Sequence, residues 1–365
     1  MLYTEENDMQ YYMPVRLYAE AHCVAAHAKE LCAQGTRALI VTGKKSAEIN
    51  GSLSDVREAL REGGVSYAHY NEIEENPSVE TIMKARAFGL AEQCDFVIGI
   101  GGGSPMDAAK AIALMMRQKD KDSSYLYGAS DGDYLPLVLV PTTCGSGSET
   151  TGISVLTKHD TKTKLSIPHR IYASFALLDP AYLSFLPQHV LADTSMDAFC
   201  HLAESYINVS ATPYSRMCAD AGLMLWRKNK DVLLQTREPA LPDYENLLHA
   251  SAMAGMAIAQ TGTSLPHGLS YAVTYHAGMA HGKACGYFQA AYLRAADRDD
   301  AAHVLSLAGF SSPDELDDYY DRVCHRERVD GEILEYAIQD LLSNPKKMAR
   351  APFAVNEALL RQIAG

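Results

Sequence analysis

Cys94-Asp-Phe-Val-Ile-Gly-Ile-Gly-Gly-Gly-Ser-Pro-Met-Asp-Ala-Ala-Lys110 is the stretch whose reading decides the fold. Its first half is an apolar run of the kind that forms a strand buried on both faces of a parallel sheet. At Gly101 three consecutive glycines interrupt the run, Pro105 follows in the first turn of a helix, and alanines continue it. Glycines let backbone amides approach an anion, and the positive end of the following helix then faces that anion. Gly101, Gly102, Gly103, Ser104 and Asp107 are therefore candidates to hold a dinucleotide pyrophosphate, although the same glycines equally serve a tight strand-to-helix turn.

Working outward, Arg37–Gly43 is a second buried strand of this kind, and Ser54–Glu62, with one charged and one apolar face, separates it from a further strand at Val65–Tyr70. Leu135–Val140 and Ser174–Asp179 read as strands too, the latter ending in an Asp-Pro turn. Strands alternating with helices predict a parallel α/β sheet. From Leu183 onward the sequence is rich in Ala, Leu and Met at helical spacing, as in Tyr214–Trp226 and Glu245–Ile258. The expected division is an α/β domain at 1–180 and a helical domain at 181–365.

The 365 residues are 47% hydrophobic and 21% charged, which suits a folded soluble enzyme and excludes collagen-like and disordered classes. With 32 Lys+Arg against 45 Asp+Glu, the net charge of −13 repels phosphate backbones and anionic lipid, so neither nucleic acid nor a membrane is an expected partner. The start, Met1-Leu-Tyr-Thr-Glu-Glu-Asn-Asp, lacks the order of a secretory signal, and eight scattered Cys contain no CxxC pair. A cytoplasmic enzyme with free thiols is the expectation.

Pro141-Thr-Thr-Cys-Gly-Ser-Gly-Ser-Glu149 follows another buried strand, where open α/β sheets bind ligands beyond their strand carboxyl ends. Thr142, Thr143 and Ser146 would flank the same cofactor, or form an ordinary polar turn. Farther on, Asp197-Ala-Phe-Cys-His201-Leu-Ala-Glu204 puts Asp197 and His201 on one face of a helix. Two His-Gly pairs, at His267 and His281, lie fourteen residues apart. A continuous helix would hold them ~21 Å apart, too far for one ion, so the helix must break, and Gly278 is placed to break it. One Asp and three His make an oxygen and nitrogen site suited to Fe²⁺ or Zn²⁺. His276 is a rival ligand, and the other histidines, including His22, His27 and His69, have no such setting.

Together these segments resemble the iron-containing (group III) alcohol dehydrogenase family, within the superfamily of glycerol dehydrogenases and dehydroquinate synthases. The family's GGGSxxDxAK loop is matched at Gly101–Lys110, its PTTxGTGSE loop at Pro141–Glu149 with Ser146 for Thr, and its DAxxHxxE helix at Asp197–Glu204. The resemblance implies a Rossmann-like N-terminal dinucleotide-binding domain and an all-α C-terminal metal-binding domain. It implies Asp197, His201, His267 and His281 as metal ligands, and hydride transfer between NAD(P)(H) and a small primary alcohol or aldehyde whose oxygen the metal polarises. A homodimer or larger assembly is implied as well.

Two departures stand out. Tyr271 occupies the position where many relatives carry a His associated with proton movement, so Tyr271 is counted with the candidate catalytic groups. The family's Phe-Gly-x-Gly element reads Tyr18-Ala-Glu-Ala21, which predicts a differently shaped first hairpin.

Gly43 stands where NAD-preferring relatives commonly carry an Asp, and Lys44, Lys45 and Ser46 follow it; two cations and a hydroxyl favour a 2′-phosphate, hence NADP(H) over NAD(H). Asn76 resembles an adenosine-side contact, and Lys164, with Lys162 almost as suitable, a basic residue near the nicotinamide. The alternatives are a glycerol dehydrogenase-type polyol oxidoreductase, a lyase of the dehydroquinate synthase type, and a non-catalytic metal and dinucleotide binder.

Overall fold

The structure, a computed structural model, describes residues 11–129, 132–160 and 163–365. The chain start and Lys162, both considered above, lie outside the described residues. Eight strands occur among them: β1 (Arg16–Ala19), β2 (Arg37–Thr42), β3 (Ser66–Tyr70), β4 (Phe96–Gly101), β5 (Leu137–Pro141), β6 (Val155–Lys158), β7 (Thr163–Ser166) and β8 (Phe175–Leu178). Six of them form one sheet in the order β1-β8-β5-β4-β2-β3, with every neighbouring pair parallel.

The continuous apolar character of β2, β4 and β5 follows from burial on both faces. Leu39, Val41, Val97 and Leu139 turn to one side, against α2 (Val79–Ala91) and α3 (Gly103–Arg117). Ile40, Ile98, Val138 and Val140 turn to the other, against Leu53, Val56 and Leu60 of α1 (Ser52–Glu62). After β2 the chain crosses to β3 on one side, then returns to β4 on the other side of β2. The crevice beyond the carboxyl ends of β2 and β4 is thus a topological switch point, where such sheets bind ligands.

Two local expectations are corrected. Among the described residues, 16–19 form no hairpin: there β1 is the edge strand, parallel to β8, with Arg16 opposite Phe175. The chain then turns through His22, at φ 57°, into a helical turn. A hairpin does occur where none was expected, β6 against β7, with Leu156 opposite Leu165. Its strands are four residues each and mix Thr, Lys and Ser with at most two apolar residues, so no sustained apolar run marks them.

The second half is helical: α4 (Gln188–Tyr206), α5 (Pro213–Arg227), α6 (Leu241–Thr261), α7 (Leu265–Ala277) and α8 (His281–Ala295) are its longest elements. Their core, including Phe199, Trp226 and Tyr292, is continuous with the sheet face that carries Leu39 and Val97. No described helix is long and apolar enough to cross a membrane.

Lys110 fastens the two loops that follow β4 and β5. Fully buried, it donates to the Ser148 carbonyl, the Ser148 hydroxyl and the Ile153 carbonyl, each at 2.7 Å, and lies 3.6 Å from Asp107 Oδ1. Asp107 in turn accepts from Ser148 Oγ at 2.6 Å and from the Val155 N–H at 2.9 Å. Lys110→Ala leaves the Ser148 and Ile153 carbonyls without their buried donor, and should cost about 1–3 kcal/mol for each. The expected readout is a lower urea midpoint with an unchanged far-UV circular dichroism spectrum.

Candidate metal centre and dinucleotide cleft

One cleft of about 930 Å³ runs from the sheet into the helical part. Gly43 and Ser46 line one end, the Gly102–Ser104 loop and Thr142, Thr143 and Ser146 line the middle, and Asp197, His201, His267 and His281 line the other end. Asn76, Asp107, Lys164 and Tyr271 also border it. Gly101 sits behind the loop and shapes it: its φ of 146° suits only glycine, and a Cβ there would come 2.7 Å from Pro105 Cγ. Lys44 and Lys45 are exposed beside Gly43 rather than lining the cleft. Asn76, at φ 55°, donates its N–H to Ser104 Oγ at 3.0 Å, which ties the two candidate contacts into one wall.

At the far end the four predicted ligands converge. Asp197 Oδ1 lies 3.5 Å from His267 Nε2, 3.9 Å from His281 Nε2 and 4.0 Å from His201 Nε2. Asp197 Oδ1 and His267 Nε2 are both buried without a hydrogen-bond partner, an expensive arrangement unless a cation sits between them. Donors around one ion with bonds near 2.1 Å stand roughly 3.4 Å apart, so the cluster fits an ion with little adjustment.

The local folding explains the convergence. Asp197 and His201 occupy successive turns of α4. His267 and His281 each stand in the first turn of a helix, because α7 ends at Gly278 with φ 66° and α8 begins at His281. Gly282 is what lets α8 touch α4, since a Cβ there would fall 1.9 Å from the Asp193 carbonyl and 2.8 Å from Asp197 Cβ. His276 is exposed at the end of α7, packed against Tyr336, and is no ligand. His27 is held by Glu20, and His69 by Thr42 and Arg57, away from the site.

The electrostatics suit metal donors. Burial pushes the Asp197 carboxyl up, but the three facing imidazoles outweigh it and hold the group below the usual carboxylate range. Burial holds His201 and His281 below the usual histidine range, His281 helped by the Lys164 charge, so both rings are neutral donors. Burial opposes protonation of His267 as well, yet Cys285, Glu204 and Asp197 together hold a proton on it, one that a bound ion would displace.

Two participants escaped the sequence reading. Glu204 Oε1 accepts from His267 Nδ1 at 2.5 Å, and its Oε2 from the Ser264 N–H at 2.5 Å, so Glu204 fixes the tautomer that turns Nε2 toward the ion. Its spacing from Asp197 and His201, two turns along one helix face, was the available signal. Cys285 Sγ stands 3.8 Å from His281 and joins Asp197, His267 and His281 in one group of close donor atoms, four residues after His281 on the same face. Cys144 and Cys200 are buried free thiols.

Glu204→Gln should weaken Zn²⁺ or Co²⁺ binding about 10- to 100-fold in a competitive chelator titration while the protein stays folded. Unchanged affinity would remove Glu204 from this role.

Known proteins resemble this chain over most of its length. A family model for the iron-containing alcohol dehydrogenase matches residues 14–180, and one for the Fe-containing alcohol dehydrogenase family C-terminal part matches 191–324. The chain is 30% identical to long-chain-alcohol dehydrogenase 1 of Geobacillus thermodenitrificans, covering 89% of this chain and 88% of that one. It is 33% identical to the sulfoacetaldehyde reductase of Bilophila wadsworthia over 70% of this chain and 66% of that one. The iron-containing alcohol dehydrogenase structure from Thermotoga maritima superposes with a TM-score of 0.89 at 33% identity, covering 97% of this chain and 98% of that one. On these matches and on the converged Asp197, His201, His267 and His281, the chain belongs to the iron-containing alcohol dehydrogenase family.

Proposed function

We propose that this protein is a metal-dependent oxidoreductase that interconverts a small aldehyde and its primary alcohol with NADP(H), and that Asp197, His201, His267 and His281 hold Fe²⁺ or Zn²⁺. The observation that carries the reading is the facing pair of unpartnered atoms, Asp197 Oδ1 and His267 Nε2, at the end of a cleft whose middle is the glycine loop. Relatives named for long-chain alcohols, sulfoacetaldehyde and 1,3-propanediol support an alcohol or aldehyde substrate. Division into a dinucleotide domain at 1–180 and a metal and substrate domain at 181–365, a dimeric or larger assembly, and a cytoplasmic location belong to the same proposal.

When bound, the metal supplies Lewis acidity at the substrate oxygen, and the nicotinamide supplies or accepts the hydride. The chain's own residues prepare for this. Glu204 holds the Nδ1 proton of His267, and the Gly145 carbonyl accepts from His201 Nδ1 at 3.2 Å, so both Nε2 atoms face Asp197. Burial raises the Tyr271 hydroxyl above its ordinary range, so it keeps its proton at neutral pH beside His281. The Gly102–Ser104 amides and the N-terminus of α3 receive the pyrophosphate. Walls from both halves of the chain border the cleft in which hydride transfer would take place.

NADP(H) is favoured by Gly43 with Lys44, Lys45 and Ser46 beside it. A Cβ on Gly43 would meet only the Ile73 carbonyl, at 3.5 Å, so Gly43→Asp can be accommodated. That variant should lower the NADPH-over-NADH preference about tenfold or more in initial-rate assays. An unchanged preference would overturn the cofactor assignment.

The reaction class is tested by NADPH oxidation with butyraldehyde on chelator-stripped protein, before and after anaerobic addition of Fe²⁺ or Zn²⁺. Turnover restored by one ion is the expected result, and net NADPH consumption separates this reading from a synthase that uses nicotinamide only transiently. His267→Ala should abolish that turnover while NADPH still binds, as followed by cofactor fluorescence.

A further inference from the structure

At the metal end of the cleft stand three cations that lack a carboxylate within 4 Å among the described residues. Lys164, on β7, is only 8% exposed; Lys347 belongs to the helical turn Pro345–Met348; Arg350 follows it. Other buried lysines are matched: Lys110 lies beside Asp107, and Lys283 pairs with Glu327. In a chain with 45 acidic residues against 32 basic ones, cations held without an ion pair at one end of a cleft call for a reason.

Their placement supplies one. The ammonium groups of Lys164 and Lys347 each lie 5.7 Å from the centroid of the Tyr271 ring. That ring stacks on His281 at 5.8 Å between centroids and 23° between planes. The cations therefore flank an aromatic wall that starts at a candidate metal ligand.

Neutral groups hold two of them in place. Lys347 donates to Thr263 Oγ1, and a Cβ on Gly268 would come 3.3 Å from its Cγ, so its stem is confined. Arg350 donates to the Thr261 carbonyl at 2.7 Å and to Ser210 Oγ at 3.3 Å, and lies across Gly262. These bonds position the charges without cancelling them. Glu204, the carboxylate whose field reaches Lys347, already accepts from His267 and Ser264. Burial pushes the Lys347 ammonium down to about 8, the direction expected of a cation set among neutral partners. The cofactor's anions do not explain the arrangement, because the pyrophosphate and 2′-phosphate positions lie at the glycine loop and at Gly43. Lys164 is the cation assigned to the nicotinamide side, so the argument rests on Lys347 and Arg350.

We propose that the metal end of this cleft recognises an aldehyde or alcohol bearing a second, anionic group (a carboxylate, sulfonate or phosphonate) a few carbon atoms from the reacting carbon, with Lys347 and Arg350 as the specificity-determining residues. This rests on the oxidoreductase reading above and narrows its substrate class. A flexible ammonium and a planar guanidinium fork together suit a tetrahedral or planar oxyanion.

The test uses the metal-loaded full chain. Values of kcat/KM are compared for butyraldehyde, succinic semialdehyde, sulfoacetaldehyde and phosphonoacetaldehyde. At least one anionic aldehyde should exceed butyraldehyde tenfold or more, and the arms distinguish carboxylate, sulfonate and phosphonate. Lys347→Gln should lower the ratio of anionic to neutral kcat/KM by about 30-fold or more, chiefly through KM, with Lys347→Arg recovering part of it. Calorimetric binding of the non-reacting anions succinate, sulfoacetate and phosphonoacetate gives a second readout, expected for the original chain and lost in Lys347→Gln.

Butyraldehyde reduced faster than every anionic aldehyde, or an unchanged ratio in Lys347→Gln, overturns the proposal while leaving the oxidoreductase reading intact. If no aldehyde is reduced, the oxidoreductase reading fails, and failure of all three anions to bind then overturns this inference separately.

Discussion

A single carboxylate oxygen, Asp197 Oδ1, organises the helical half of this protein. It is buried, forms no hydrogen bond, and has three imidazole nitrogens within 4.0 Å, from α4, α7 and α8. A desolvated anion of this kind persists only where positive charge or a cation offsets its burial. Three helices must therefore meet at one point, and the chain pays for this with small residues. Gly282 permits the contact of α8 with α4, and the glycine that ends α7 frees His281 to open the next helix.

The sheet half is governed by a different constraint, a glycine turn that brings bare backbone to the cleft. Its glycine loop packs against Thr143 and Ser146 of the loop after β5, and the Lys110–Asp107–Ser148 network ties the two together. Polar groups here act as structural pins, so a lysine within a cofactor-binding motif need not touch the cofactor. Asp107 illustrates the same division of labour, because both its oxygens are engaged by protein donors although it borders the cleft.

Between these ends the two halves share one apolar core, and the cleft is the gap left where it cannot close. The positive charge gathered near Tyr271 is local, because carboxylates such as Glu74, Glu75 and Asp193 line the same cleft elsewhere. Long-range attraction of an anionic molecule into such a cleft is weakened by salt, whereas short-range contacts to Lys347 and Arg350 are less screened.

Much of this was legible in the sequence because its signals are local. β2, β4 and β5 announce themselves as unbroken apolar runs, the glycine loop by composition, and Asp197 with His201 by helical spacing. The fourteen-residue gap between His267 and His281, with Gly278 inside it, already required a helix break. Signals fail where an element's reason is distant. β1 forms because its edge position beside β8 suits it, and β6 and β7 are too short and too mixed in polarity to show a pattern. Glu204 and Cys285 gain their roles only when α7 lies beside α4 and α8. Lys347 and Arg350 lie about 80 residues beyond His267 in the chain, and only tertiary packing sets them beside Tyr271. The sequence by itself determined which groups can bind phosphate or a metal, since that is a property of residue type and near spacing. The tertiary structure alone decided which groups share a site and which charges stay unmatched, because burial and distance are properties of the folded chain.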